Sequence, residues 1–194
     1  MHRYFIINKP RGMVSQFISS HKVGLLGDLD FTFPEDTHAI GRLDMDSEGL
    51  LLLTTNKKIT RLLFLDSQPH LRTYLVMVQN KMSNETIQQI REGITIKIKE
   101  GEQYIAKPIS FEQITNPESL YAYATDRRNA YAHTWLLITL AEGKYRQVRK
   151  MVLAARHRCQ RLIRLSISNI ELNNLQPGAV REMKEKDFFT LLGI

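Results

Sequence analysis

A single cysteine, Cys159, leaves the chain without the means to form an internal disulfide. No run approaches the roughly 18 apolar residues of a membrane span, and Met1-His2-Arg3-Tyr4 leads into a strand-like segment with no signal-peptide pattern. A cytoplasmic protein without membrane association is therefore expected. The six histidines (His2, His21, His38, His70, His133 and His157) show no metal-ligand spacing, so no metal site is expected. Acid is missing from two whole stretches. Residues 1–22 hold Arg3, Lys9, Arg11 and Lys22 and no carboxylate; Lys144 to Arg164 holds eight basic residues and none. The second stretch alone accounts for the net charge of +7. Positive charge clustered in this way on a folded domain is the footprint of a polyanion partner such as RNA.

What is present suffices for a folded core. The 194 residues are 43% apolar, enough for one large domain or two small lobes sharing a sheet. Tyr4 to Asn8 reads as a strand broken by the basic turn Lys9-Pro10-Arg11-Gly12, a possible phosphate contact. Residues 13–36 lack periodicity and read as a long surface connection with one helical turn near Leu25 to Leu29. Strands are expected at 37–40, 50–53, 72–79, 94–98, 103–114 (weakened by Pro108), 133–140 and 162–170. Helices are expected from Lys57 to about Leu65 behind Asn56, from Ser83 to Gly93, from Lys144 to Arg156, and from Lys186 to Leu192. Arg146, Arg149 and Lys150 then share a helical face. Residues 115–131 read as an irregular surface excursion. The balance points to an α+β fold with mainly antiparallel pairing.

The chemistry concentrates in Gly41-Arg42-Leu43-Asp44-Met45-Asp46-Ser47-Glu48-Gly49, which runs straight into four leucines. Polar loop residues at the foot of a buried strand stand on rigid support, where catalytic groups tend to sit. The spacing of Asp44, Asp46, Glu48 and Gly49 imitates the first half of a calcium loop, but the second half places leucines and a threonine at ligand positions. Carboxylates two residues apart do not by themselves flank a glycosidic bond. A third reading, which the resemblance below favours, is a single catalytic aspartate beside one arginine, with the other acids capping or solvated.

Four ordered stretches carry a resemblance. Phe5-Ile6-Ile7-Asn8-Lys9-Pro10-Arg11-Gly12, then Gly41-Arg42-Leu43-Asp44 with Ser47-Glu48-Gly49-Leu50-Leu51-Leu52-Leu53-Thr54, then Arg72-Thr73-Tyr74, and lastly Glu142-Gly143-Lys144-Tyr145-Arg146-Gln147-Val148-Arg149-Lys150-Met151 resemble the motifs of the bacterial ribosomal RNA pseudouridine synthases, the family that holds synthase A of the small ribosomal subunit and synthases B, E and F of the large one. The resemblance spans about residues 3–182. It implies a pseudouridine synthase fold, α+β, with a mainly antiparallel mixed sheet in two lobes, flanking helices and an active-site cleft.

It further implies a single catalytic domain over residues 1–194 without the S4-type RNA-binding module of many relatives, which favours the synthase E branch. The implied activity is isomerisation of a uridine, in 23S rRNA by that branch, by a monomer that needs no cofactor. Asp44 is implied as the carboxylate, acting as nucleophile on C1′ or C6 or as the charge partner of an elimination. Arg149 pairs with it, and Tyr74 stacks on the target base or accepts a ribose proton. Arg42 fills the space the flipped base leaves, while Lys9, Arg11, Arg146 and Lys150 hold RNA. A non-catalytic RNA-binding or ribosome-assembly factor on the same fold is the alternative. Two departures from the pattern, Lys57-Lys58 after Asn56 and Ala155-Arg156 before His157, touch loop geometry rather than chemistry.

Overall fold

The computed structural model describes residues 2–59, 61, 63, 69–124 and 131–194. In chain order the strands are β1 (Tyr4–Lys9), β2 (His38–Ile40), β3 (Glu48–Thr54), β4 (Arg72–Gln79), β5 (Ile94–Lys97), β6 (Gln103–Ala106), β7 (Ser110–Ile114), β8 (His133–Leu140), β9 (Cys159–Ile167), β10 (Ile170–Glu171) and β11 (Val180–Met183). The helices are α1 (Asn84–Glu92), α2 (Gln147–Ala154) and α3 (Glu185–Leu192). The chain divides into two compact units, one of residues 1–70 and 163–194, the other of residues 71–162. No helix among the described residues is long and apolar enough to cross a membrane.

In the first unit β1 lies between β11 and β3, antiparallel to both, with Lys9 opposite Gly49. Both faces of β1 are covered, Phe5 and Ile7 by an apolar cluster with Leu26 and Tyr4 by Phe188 and Phe189 of α3, and all six of its residues are buried. β3 is likewise buried along its length and pairs on its far side with β2 and, in parallel, with β9 through Glu48–Ile163 and Gly49–Arg164. The connection over residues 13–36 is more than a surface loop. Phe31 and Phe33 set their rings edge-on to Phe5 at 5.6 and 5.9 Å, Phe17 meets Phe33 at 5.2 Å, and Leu26 is buried at a 3₁₀ turn, Leu26–Asp28. These rings come together from non-periodic positions, so no local pattern announces them. Helix α3 buries Phe188 and Leu192, while Phe189 stays half-buried, edge-on to Tyr4 at 5.6 Å.

In the second unit β4, β8 and β7 form antiparallel neighbours. The stretch 103–114 is two strands: Pro108 ends β6, which pairs with β5, and the chain resumes as β7 against β8. A proline without an N–H to give accounts for the break. Helix α1 begins at Ser83, whose side chain accepts from the Thr86 N–H, and ends at Gly93, with Ile87 and Ile90 buried. Helix α2 packs Val148, Met151 and Val152 into the same apolar cluster as Tyr74, Val76, Leu136 and Ile138. Within the described part of the expected excursion, residues 115–124, Pro117, Tyr121 and Ala124 are buried and Tyr121 meets Tyr123 edge-on, while most of the other residues are exposed.

Asn56 accepts from the Lys58 N–H as an N-cap does. Of the helix expected over 57–65, residues 60, 62, 64 and 65 lie outside the described residues, and those described at 59, 61 and 63 are helical.

Candidate active site

Asp44 sits in the first unit on a turn held from both sides. The Leu43 N–H donates to Ser15 Oγ and the Ser15 hydroxyl donates back to the Leu43 carbonyl, each at 2.9 Å. On the other side the Gly12 N–H donates to the Met45 carbonyl at 2.8 Å, and the Ser47 N–H closes the turn on the Asp44 carbonyl at 3.0 Å. Main-chain anchors on residues 43 and 45 fix the residue between them whatever its side chain. Asp44 and Asp46 are half-buried, Glu48 is buried at the head of β3, and Arg42 is exposed. Sequence reasoning missed Ser15, and nothing in its local sequence marks it.

Lys9 requires a correction. Expected at phosphate in a basic turn, it is the last residue of β1 and 0% exposed. Its ammonium donates to the Met13 carbonyl at 2.7 Å and to the Pro10 carbonyl at 2.9 Å. It therefore ties together the turn whose Gly12 N–H holds Met45, and stands under the Asp44 loop instead of meeting RNA. Arg11, two residues on, is exposed.

Burial pushes the Lys9 ammonium down to about 8, against the opposing pull of Glu48, Asp44 and Asp46 and with a smaller push from Arg164. An unfolded lysine keeps its proton to about 10.5. Between pH 8 and 10.5 the unfolded chain thus binds more protons at this site than the folded one, and stability contributed by this group rises with pH. Urea denaturation across that window is expected to show the rise in the wild type and its loss in Lys9→Met; equal slopes in the two proteins would refute this role.

In the second unit Tyr74 lies on β4 opposite Ile138, only 8% exposed, and joins the cluster into which α2 packs Val148, the neighbour of Arg149. Arg149 is half-buried. Within this unit Tyr74 and the helix that carries Arg149 are thus fixed by one apolar core.

The helix expected from Lys144 begins three residues later. Arg146 precedes it in a left-handed conformation, φ +52°, so the expected shared helical face of Arg146, Arg149 and Lys150 is reduced to the last two. A part-buried side-chain network holds the turn before it. Tyr104 donates its hydroxyl to the Glu142 carboxylate, 2.7 and 2.8 Å from its two oxygens, and the Gln147 amide donates to Glu142 Oε1 at 2.7 Å. Gln147 Oε1 in turn accepts from the Lys144 N–H at 3.0 Å. The bond to Glu142 holds the Tyr104 phenol above its usual range. Gly143 lies against the Arg72 guanidinium, a Cβ placed there falling 3.8 Å from Cζ.

A family profile described as RNA pseudouridylate synthase matches residues 3–154. The ribosomal large subunit pseudouridine synthase E of Vibrio vulnificus is 33% identical over 182 residues, 93% of this chain and 75% of that protein. The ribosomal small subunit pseudouridine synthase A of Salmonella typhimurium is 30% identical over 186 residues, 95% of this chain and 72% of that protein. Among solved structures, a crystal structure of a pseudouridylate synthase superposes with a TM-score of 0.76 at 26% identity, covering 98% of this chain and 74% of that one.

Proposed function

The chain belongs to the RNA pseudouridylate synthase family, and on that premise we propose that it converts a specific uridine of ribosomal RNA, in the large subunit, to pseudouridine through Asp44. It has the family's α+β fold, and its activity is that of an isomerase acting on RNA. The finer reading is supported by likeness to pseudouridine synthases named for the ribosomal subunits, those named synthase E for the large subunit among them. The observation that carries the role of Asp44 is its turn, clamped at Leu43 by Ser15 and at Met45 by Gly12.

The isomerisation exchanges a ribose C1′–N1 bond for C1′–C5; N1 gains a proton and C5 loses one. Atoms and electrons balance with no oxidant or reductant, so ionisable side chains suffice. An ionised carboxylate at the junction of ribose and base serves every route open to it, as nucleophile or as counter-charge to the developing sugar cation. In this reading Arg149 is the cationic partner that balances the charge of Asp44 during the reaction. Tyr74 presents its ring to the extruded uracil, offsetting part of the few kcal/mol that unstacking costs. Arg42 occupies the vacated stack, its planar guanidinium able both to stack and to hydrogen-bond. Exposed Arg11, with Arg146 and Lys150, holds phosphate and positions the RNA without reading its sequence.

Chemical mapping of pseudouridines in rRNA from cells with and without this protein tests the assignment. One large-subunit uridine is expected to lose its modification and regain it on complementation. Unchanged maps alongside measurable RNA binding would favour a non-catalytic assembly factor instead.

A further inference from the structure

The turn between β8 and α2 is built in a way that catalysis by Asp44, Tyr74 and Arg149 leaves unexplained. Gln147 is buried in the network with Glu142 and Tyr104, whereas Tyr145, two residues earlier, is 74% exposed. Arg146 lies between them at φ +52°, a conformation disfavoured for a residue that is neither glycine nor asparagine. Such outliers persist where the surroundings enforce them, and they cluster at ligand sites. Here the enforced conformation aims an aromatic ring outward. Lys150 sets its ammonium over that ring, 5.4 Å from the centroid, whereas Lys144 sets its own over Tyr104 at 4.4 Å and 3.9 Å from the Glu142 carboxylate.

An exposed ring adds little to the core, and the core cluster of this unit does not include Tyr145. The ring has one face beside a cation and lies in a stretch from Lys144 to Arg164 without a carboxylate. That combination matches single-stranded nucleic acid: every base offers a π-face to a tyrosine, and a neighbouring ammonium group meets the adjacent phosphate. We propose that Tyr145 is a stacking platform for an unpaired base of the RNA substrate other than the target uridine, with Lys150 holding the adjacent phosphate. This rests on the reading of RNA as substrate.

The test uses in vitro transcribed, unmodified 23S rRNA with the wild type, Tyr145→Ala and Tyr145→Trp, reading Kd, its salt dependence and the single-turnover rate. Tyr145→Ala is expected to raise Kd about tenfold, the scale of one stacked base. The slope of log Kd against log salt stays the same, since no charge is removed. The loss falls on Kd more than on the rate at saturating RNA. Tyr145→Trp is expected to keep its affinity, and the introduced indole to be quenched on RNA binding, readable against the lone native Trp135, which is buried. A Tyr145→Ala protein that binds within twofold of a wild type that modifies the RNA overturns the platform alone, as does an indole that RNA leaves unchanged. A wild type that modifies no uridine overturns the functional reading and takes the platform with it.

Discussion

Asp44→Asn is expected to lower pseudouridine formation by on the order of 10⁴-fold, the scale seen when one member of a catalytic set is removed, while the protein stays folded and still binds RNA. Asparagine keeps the shape of the side chain and removes its charge. The turn does not depend on that charge, because its anchors are the main chain of Leu43 and Met45, held by Ser15 and Gly12. Retained folding with lost turnover would therefore isolate the carboxylate. The substitution also removes one of the acids that raise the Lys9 ammonium, so the Lys9 titration moves further down. Release of tritium from RNA labelled at uracil C5, under single-turnover conditions, reads the chemistry directly. Turnover within tenfold of the wild type would remove Asp44 from the reaction.

Local pattern carries the strands because alternation and strand length are local properties. Arg72–Gln79 and His133–Leu140 occur where their apolar runs place them, and Ser83 and Gly93 bracket α1 as cap chemistry dictates. Elsewhere the outcome is decided by contacts that no local period marks. Lys9 reads as part of a basic turn, yet it is the last residue of buried β1 and its ammonium is taken by the main-chain carbonyls of Met13 and Pro10. Phe17, Phe31 and Phe33 show no period because they converge on Phe5 from an irregular loop.

The start of α2 departs from expectation for a third kind of reason. Helical spacing from Lys144 is sound, but Glu142 and Tyr104 claim Gln147, and the chain reaches that arrangement only by turning left-handed at an arginine. The candidate site is legible as motifs and not as geometry. Asp44, Tyr74 and Arg149 are named by residue type and order, whereas Ser15, which clamps the loop, carries no mark in its own neighbourhood.

Gly49→Ala is expected to cost roughly 3–5 kcal/mol, combining a left-handed alanine with an overlap that cannot relax. Gly49 has φ +98°, and a Cβ there would fall 2.3 Å from the Arg164 carbonyl oxygen and 2.7 Å from its nitrogen. Both are main-chain atoms of the paired strand β9, so no rotamer change relieves the clash. Retreat the other way is closed, because Gly49 also pairs with Lys9 of β1. The glycine is thus required by close approach on one side and pairing on the other, at the head of the strand that supports Asp44. Gly12→Ala is the matching control. It has nearly the same backbone, φ +86°, and nothing within 4 Å of the added carbon, so it should show only the conformational part, about 1 kcal/mol. Urea denaturation of both variants separates the two contributions. A difference below about 1 kcal/mol would mean that the β3–β9 pairing yields, and that the loop above it is not held as rigidly as its hydrogen bonds imply.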